Sequence, residues 1–353
     1  MRVRAVFAAL ALMAAATAAI GAQSGGAARN STLTAVPGIK VGHHTLAERP
    51  TGCTVILAEA GVTAGVDVRG SAPATRETDL LNPVNLVQIA HAIVLSGGSA
   101  FGLDAASGVM RYLEERRIGF EFGPAHVPIV PAAAIFDLSV GDGRIRPAAD
   151  CGYQAARAAT DAPVADGSIG AGAGATVGKV GGMGRSMKGG VGSAAIALPN
   201  GLIVAALVVV NAAGDVIDPS TGQVVAGVRT VDGKAFADAR KILRAGGAGT
   251  AAARQNTTLG VVATNARLTK TEATRVSQMA HDGFARALAP SHTPGDGDVI
   301  FTLATGATGP TGAAAADAGQ VGSLAAEVVA DAIVRAARQA TGVTGIPAVR
   351  DLK

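Results

Sequence analysis

Asn256-Thr-Thr-Leu-Gly-Val-Val-Ala-Thr264 is the most informative stretch of this sequence. It opens on polar and hydroxyl residues and passes directly into an apolar run, residues 259–263, that is typical of a buried strand. Residues 243–255 before it are small, rich in Ala and Gly and without hydrophobic periodicity, which predicts a flexible linker. We therefore expect a hydroxyl side chain at the junction between a linker and the head of a buried strand.

Cleavage of the chain before a hydroxyl residue of this junction would place a nucleophile and a base in one residue. The new α-amine can accept the hydroxyl proton, and its unperturbed pKa of ~7.7–8.0 lies close to neutral pH. The branched side chain of Thr also restricts χ1 and helps to fix the oxygen. Polar linkers commonly precede ordinary strands, however, and Thr is a common strand residue, so the spacing alone favours a purely structural stretch.

Hydrophobic runs elsewhere predict strands and helices in mixed order. The expected strands are residues 33–41, 52–58, 62–69, 91–95, 127–130, 259–263 and 299–303, with a hairpin formed by 192–198 and 202–211. The expected helices are residues 100–117, 269–288 and 323–339. Because the strict alternation of a parallel α/β sheet is missing, the pattern predicts an α/β sandwich with largely antiparallel sheets.

Composition excludes several classes of protein. A chain of 353 residues with 49% hydrophobic and 16% charged residues can bury a large core and does not resemble a disordered chain. The Lys and Arg residues are scattered, aromatic residues amount to 3% and Trp is absent, which argues against a nucleic-acid partner. Two Cys and six His show no metal-binding spacing, so we expect no metal and no cofactor.

The N-terminus predicts a secretory signal over residues 1–22. A short basic segment is followed by the apolar run 5–20 and by small residues at Gly21 and Ala22, after which we expect cleavage. An uncleaved anchor is the alternative, although the run falls short of the ~20 residues that a span needs. The mature protein is expected to be periplasmic or secreted and free of the membrane. After export Cys53 and Cys151 could pair, and two free buried thiols are an equally open alternative.

Two familiar signatures nearly appear. Residues 172–179 resemble a phosphate-binding loop, but Ala173 stands where a glycine is needed and Val180 where a Ser or Thr would hold magnesium. Residues 97–101 resemble a nucleophile elbow, but Phe101 occupies the second glycine position. Neither stretch supports the function that its motif would carry.

The chain resembles the self-processing aminopeptidases of the DmpA/BapA type, which behave as N-terminal-nucleophile hydrolases. The matching stretches come in the family's order and cover roughly residues 33 to 345. They are residues 37–43, 51–55, 96–104, 127–131 with Phe136-Asp137, 188–192, 256–264 and 295–301.

The resemblance implies an αββα sandwich of the DmpA/ornithine acetyltransferase-like type, made as one precursor. A cut between Asn256 and Thr257 would give chains 23–256 and 257–353 that stay together, and family members suggest a homo-oligomer of such αβ units by analogy. Thr257 matches the family's nucleophile, and Thr258 is the competing choice.

Three further residues match the family's catalytic positions. Asn211 matches the residue whose amide helps to form the oxyanion hole, and without the family it would be interpreted as opening a turn. Asp298 matches the family carboxylate, and with Asp296 it would orient the Thr257 hydroxyl and hold its α-ammonium. Gly-Asp-Gly-Asp is also ordinary turn chemistry, and Asp296 replaces a Ser, so a second carboxylate should raise the pKa of one of the pair.

One departure concerns the substrate. Members that cleave β-peptides use a Glu to bind the substrate's free amine, and the nearest match here is Ala134, with Asp137 as a partial substitute. We therefore predict an exported self-cleaving hydrolase of small peptides or amides, an aminopeptidase with an N-terminal Thr nucleophile. The alternatives are an acyltransferase of the ornithine acetyltransferase type and a non-catalytic periplasmic binding protein.

Overall fold

The computed structural model describes residues 30–247, 256–306 and 316–352. The chain divides into residues 1–30 and a second unit, residues 31–353, which carries every element considered below. The predicted signal segment and residues 248–255 of the predicted linker lie outside the described residues. Among the described residues, no helix has the length and apolar character to cross a membrane.

The second unit alternates strands, short 3₁₀ turns and helices. The described strands are β1 (Lys40–Thr45), β2 (Gly52–Val68), β3 (Thr75–Arg76), β4 (Ile89–Ser96), β5 (Phe120–Phe122), β6 (Ala125–Val127), β7 (Ala132–Ala134), β8 (Thr176–Val177), β9 (Met187–Lys188), β10 (Gly190–Ala197), β11 (Ile203–Asn211), β12 (Asp215–Ile217), β13 (Val224–Ala226), β14 (Thr257–Thr264), β15 (Leu288–Ala289) and β16 (Val299–Ala304). The described α-helices are α1 (Ala105–Glu114), α2 (Ala149–Arg157), α3 (Ala239–Arg244), α4 (Lys270–Ala287) and α5 (Ala318–Gln339).

Nine of the described strands form one mixed sheet. Its order is β10-β11-β14-β16-β2-β4-β7-β3, with β1 paired onto β2. Neighbours are mostly antiparallel, and the parallel pairs are β14 with β16 and β4 with β7. The strands β11, β14 and β16 therefore lie side by side, with β10 as the edge strand beyond β11.

The sheet folds over along β2 into two layers. The end of β2 pairs with β16, its beginning pairs with β4, and the register shifts between Leu57 and Val62. One apolar core fills the space between the layers, a second lies under α4 and α5, and a third under α1 and α2. The order helix, sheet, sheet, helix confirms the expected αββα sandwich.

Strand β11 shows how the sequence specifies these layers. Val204, Ala206 and Val208 face the core under α4 and α5, whereas Leu207 and Val209 face the core between the layers. Successive strand residues point to opposite faces, so a strand buried on both sides must be apolar throughout. This explains the continuous hydrophobic run before Asn211.

Several strands and helices begin or end at residues other than those predicted from the sequence. Residues 33–35 form a 3₁₀ turn rather than a strand, and β1 starts only at Lys40, because Pro37 and the left-handed Gly38 (φ 88°) break the extended run. The helix expected from residue 100 begins as a 3₁₀ segment, Ser99–Asp104, before α1. Helix α4 begins as expected, since Thr269 and Glu272 form a reciprocal capping box.

A disulfide joins Cys53 and Cys151, whose Cα atoms lie 6.0 Å apart. It links the beginning of β2 to α2 across a separation of 98 residues. Of the two alternatives that the sequence left open, the structure has the paired one.

Candidate active site

The expected catalytic residues meet where three neighbouring strands begin or end. Thr257, the first residue of β14, pairs with Asn211, the last residue of β11. Because β16 runs parallel to β14, the residues before the two strands also lie together, and Asn256 bridges to Asp296. All four residues are buried. The strand order therefore brings together positions that are about 45 and 40 residues apart in the chain.

The Asn256–Thr257 peptide lies in a confined polar setting. The Thr257 hydroxyl donates to the carbonyl oxygen of Asn256 at 2.5 Å, and the Gly297 backbone N–H donates to the same oxygen at 3.0 Å. A Cβ at Gly297 would lie 2.7 Å from Thr257 Oγ1 and 2.6 Å from the Ala72 carbonyl oxygen. Only glycine fits between these two oxygens.

Thr258 points elsewhere. Its hydroxyl is buried and has no hydrogen-bond partner among the described residues, whereas Thr257 faces the preceding carbonyl. Neighbouring strand residues point to opposite faces, so the two hydroxyls cannot share one environment. This placement favours Thr257 over Thr258 as the candidate nucleophile.

Asp298 holds the beginning of β14. Its Oδ1 accepts the Thr258 backbone N–H at 2.7 Å. Its Oδ2 accepts Nδ1–H of His292 at 2.8 Å and the backbone N–H of His292 at 3.2 Å. Both carboxylate oxygens are therefore fixed, one of them at the Thr258 amide.

Asp296 has a different environment. Its Oδ2 accepts the Thr293 backbone N–H at 2.6 Å, while its buried Oδ1 has no hydrogen-bond partner among the described residues. Burial first, and then the charge of Asp298, raises the pKa of Asp296 to about 6, against the opposing charge of Lys179. Near neutral pH the site thus contains a carboxyl group poised to gain or lose a proton.

The Asn211 amide is held in one orientation. Its Oδ1 accepts the Thr176 backbone N–H at 3.0 Å and Lys179 Nζ at 2.9 Å, and its Nδ2 donates to the Phe136 carbonyl at 3.0 Å. The amide nitrogen carries two N–H groups, and Phe136 takes one of them. A fixed neutral donor of this kind is suited to stabilising an oxyanion.

Sequence reasoning missed Lys179. This residue is fully buried in a glycine-dense segment, residues 178–186 between β8 and β9. Its Nζ donates to both the backbone and the side-chain oxygens of Asn211. Burial lowers the pKa of Lys179 to about 7, although the charges of Asp296, Asp137 and Asp298 raise it. A lone lysine in a glycine-rich stretch could have indicated a functional residue. The sequence analysis instead compared this stretch with a phosphate-binding loop and set it aside.

The Asp137 carboxylate is bound by other groups of the chain. Its side chain is fully buried and accepts from Arg49 at 2.8 Å, from Thr51 Oγ1 at 2.6 Å and from the Gly98 backbone N–H at 2.8 Å. Groups of the chain therefore occupy both carboxylate oxygens, which gives substrate binding by Asp137 no support, and that role stays a prediction.

Ala134, the nearest match to the Glu that β-peptide-cleaving members use for the substrate amine, is the last residue of β7. It is buried, and its backbone N–H donates to the Ala74 carbonyl at 3.0 Å. The adjacent Pro73 lies 3.1 Å from the place a Gly297 Cβ would occupy, and hence close to the Thr257 hydroxyl. Ala134 therefore carries no charge that could bind a substrate amine. In the described ranges, no group of three or more His, Cys, Asp or Glu could hold a metal ion.

Solved structures share this fold. A β-aminopeptidase of Burkholderia sp. has a TM-score of 0.64 and 24% identity over 89% of this chain and 88% of that chain. An L-aminopeptidase D-Ala-esterase/amidase of Ochrobactrum anthropi, described as a variant of the Ntn hydrolase fold, has a TM-score of 0.66 and 18% identity over 92% and 91%. The fold is therefore that of N-terminal-nucleophile hydrolases.

The sequence comparisons give the family. The model of peptidase family S58 matches residues 31–350, and the chain belongs to that family. A protein named "uncharacterized aminopeptidase" from Mycobacterium tuberculosis is 42% identical over 91% of this chain and 98% of its own length. A 6-aminohexanoate-oligomer endohydrolase of Kocuria sp. is 32% identical over 76% and 73%. Membership in this family identifies a hydrolase of peptide or amide bonds.

Proposed function

We propose that this chain is a self-cleaving hydrolase of small peptides or amides, an aminopeptidase that uses Thr257 as its N-terminal nucleophile. The observation that carries the proposal is the contact between the Thr257 hydroxyl and the Asn256 carbonyl, which Gly297 also holds. The nucleophile, the bond to be cut and a donor for its oxygen lie together in the uncut chain.

This geometry supports self-cleavage. Thr257 Oγ attacks the Asn256 carbonyl carbon while the Gly297 N–H stabilises the oxyanion. The C–N bond to Thr257 breaks, the hydroxyl proton passes to the departing nitrogen, and an ester joins Asn256 to Thr257 Oγ. Water then hydrolyses the ester, which restores the hydroxyl and leaves Asn256 with a terminal carboxylate.

The released amine then acts as the base for substrate. An α-amine with an unperturbed pKa of ~7.7–8.0 can take the hydroxyl proton near neutral pH. Oγ attacks the substrate carbonyl, Asn211 Nδ2 and a backbone amide stabilise the oxyanion, and the leaving amine receives the proton. Water releases the acyl group. Asp298, already bonded to the neighbouring Thr258 amide, holds the ammonium form of Thr257.

The substrate class follows from the relatives and from Ala134. The relatives' names describe the cleavage of amide bonds, both in aminopeptidases and in an amide-oligomer hydrolase. The alanine at the end of β7 offers no charge for a substrate amine, so cleavage need not be restricted to substrates with a free amino terminus.

The proposal includes export and assembly. A signal over residues 1–22 would direct the chain to the periplasm or the medium, and the Cys53–Cys151 disulfide supports an oxidising compartment. Removal of that segment and the internal cut would give chains of about 234 residues (23–256) and 97 residues (257–353). We further propose a homo-oligomer of these pairs.

Intact-mass spectrometry of purified protein tests the nucleophile. Wild type and Thr258→Ala should give two chains, the smaller beginning at Thr257, and Thr257→Ser should also be cut. Thr257→Ala should stay uncut and lose about 10³-fold or more of the amidase activity measured with alanine p-nitroanilide. Two chains from Thr257→Ala, or an active uncut wild type, would rule the proposal out.

A further inference from the structure

His292 binds one carboxylate oxygen twice. Its ring Nδ1 lies 2.8 Å and its backbone nitrogen 3.2 Å from Asp298 Oδ2. A carboxylate only accepts, so Nδ1 carries the proton. Because both donors of one residue hold Oδ2, the other oxygen is directed at the Thr258 amide, 2.7 Å away.

The backbone of His292 is held in an unusual conformation. Its φ of 54° lies in the left-handed region, which residues with a Cβ adopt at some energetic cost. The ring stacks edge-on against His281 at 4.8 Å between centroids and lies 5.9 Å from Phe284, both on α4. The surrounding structure therefore fixes both the backbone and the ring next to Asp298.

The titratable groups around His292 and Asp298 do not compete for the bonds between these two residues. Burial lowers the pKa of His281 to about 4, so that ring is neutral near pH 7, and its Nε2 lies 3.2 Å from the Asp67 carbonyl and 3.5 Å from the Asp67 carboxylate. Asp296 is the other nearby carboxyl group. The His292 side chain is about a quarter exposed, whereas Asp298 is almost fully buried. His292 is therefore the more exposed partner of this pair.

We propose that His292 is a positioning residue for the reaction of Thr257, because its two bonds fix the Asp298 carboxylate that holds the beginning of β14 and the Thr257 amine. The inference rests on the proposed function, since it assigns a role within the same site. It concerns how Asp298 is oriented, and it leaves the identity of the nucleophile unchanged.

The left-handed backbone supplies a matched pair of variants. Glycine and asparagine both tolerate a positive φ, so His292→Gly removes the ring donor and His292→Asn replaces it without adding backbone strain. The Asn amide nitrogen lies about where Nδ1 was. The full exported chain of each variant is purified, its cut fraction measured by mass, its active sites titrated with an acylating probe, and its melting temperature recorded.

The expected result separates positioning from folding. Per titrated active site, His292→Gly should lose about 10²-fold in kcat with KM changed less than about twofold, since a misplacement of 1 Å can have that effect. His292→Asn should recover most of the loss, and added imidazole should partly restore the glycine variant. A glycine variant that stays folded but uncut, beside a cut asparagine variant, would equally support the proposal.

Other outcomes overturn it. Normal kcat in His292→Gly, or an asparagine variant as slow as the glycine variant at the same melting temperature, would show that the two bonds do not matter. An uncut and inactive wild type would instead overturn the proposed function, and this inference with it.

Discussion

Lys179 Nζ donates to both oxygens of Asn211, to the backbone carbonyl at 3.1 Å and to the side-chain Oδ1 at 2.9 Å. The bond to Oδ1, together with that from the Thr176 N–H, holds the amide so that its nitrogen faces the Phe136 carbonyl. A buried lysine is thus used to aim a neutral donor. Lys179→Met should therefore reduce kcat by about 10²-fold, because it removes one of the two donors that hold Asn211 Oδ1. Steady-state kinetics test this, and an unchanged kcat would assign Lys179 to the scaffold alone.

Buried lysines should make stability depend on pH. Burial lowers the pKa of Lys188 to about 7, whereas a lysine in the unfolded chain keeps its proton to about pH 10. Between these values the unfolded state binds more protons, so the free energy of unfolding rises with pH. Lys188→Met should flatten this rise by up to about 1.4 kcal/mol per pH unit.

Urea unfolding followed by circular dichroism measures the slope between pH 7 and 9. The uncut Thr257→Ala chain is the background, so that a single chain unfolds in every sample. Lys234→Met, at an exposed position, is the matched control. Equal slopes in the Lys188 and Lys234 variants would contradict the expected role of burial.

Asp296 should lower stability at neutral pH. Its pKa is raised to about 6, so between about pH 4 and 6 the folded state binds more protons than the unfolded state, and stability falls as pH rises through this window. Above this pH range the buried Asp296 carboxylate is charged in the folded state, and its full destabilising effect is present. Asp296→Asn should therefore raise the free energy of unfolding at pH 7 by about 1–2 kcal/mol while slowing catalysis.

The pH range over which stability changes identifies the group that causes the change. Asp215 also has a pKa raised to about 6 by burial, so wild type alone cannot separate the two carboxyl groups. In the uncut Thr257→Ala background, the difference in unfolding free energy between the chains without and with Asp296→Asn should grow from pH 4 to 7 and then level off. A difference independent of pH would mean that hydrogen bonding, rather than charge, distinguishes the variant.

Gly297 should be required for the internal cut. An added methyl would meet both Thr257 Oγ1 and the Ala72 carbonyl, so Gly297→Ala should displace the hydroxyl and leave most of the chain uncut. A Cβ at Gly184 has nothing within 4 Å, which makes Gly184→Ala the control. Intact mass after a fixed time gives the cut fraction of each. Normal cutting in Gly297→Ala would remove Gly297 from the mechanism.

The Arg49–Asp137 ion pair should matter for folding rather than for substrate. Both side chains are fully buried, so Asp137→Asn leaves an uncompensated charge and should destabilise the protein by about 3–5 kcal/mol. Arg49→Met with Asp137→Asn should recover part of the loss. If Asp137 instead binds the substrate amine, KM should rise in Asp137→Asn even in molecules that remain folded, and kinetics at low temperature measure this.

The candidate site was predictable where strand ends and motifs coincide. The hydrophobic runs placed Asn211 at the end of one strand and Thr257 at the head of another, and the family likeness linked them to Asp298. The structure places all three together where β11 ends and where β14 and β16 begin. Local periodicity and a known motif were sufficient for this part.

Contacts between distant segments were not predictable. Lys179 reaches Asn211 only because the glycine-dense segment returns to the end of β11, and Arg49 meets Asp137 across 88 residues. Strand β2 was predicted as two strands, because Glu59, Ala60 and Gly61 look like a break. The left-handed Gly61 (φ 72°) instead lies within one bent strand, at a shift in register.

The position of β14 and β16 determines what a cut at Asn256–Thr257 would produce. The C-terminal piece would supply two adjacent strands, with β11 of the N-terminal piece on one side and β2 on the other. Neither piece could leave without breaking strand pairs on both flanks. The two products would therefore behave as one unit that does not exchange partners, and a denatured mixture would have to reinsert a missing centre into an open sheet. The chain would therefore have to fold before it is cut. Activity would then be gained once and would not be recovered after unfolding.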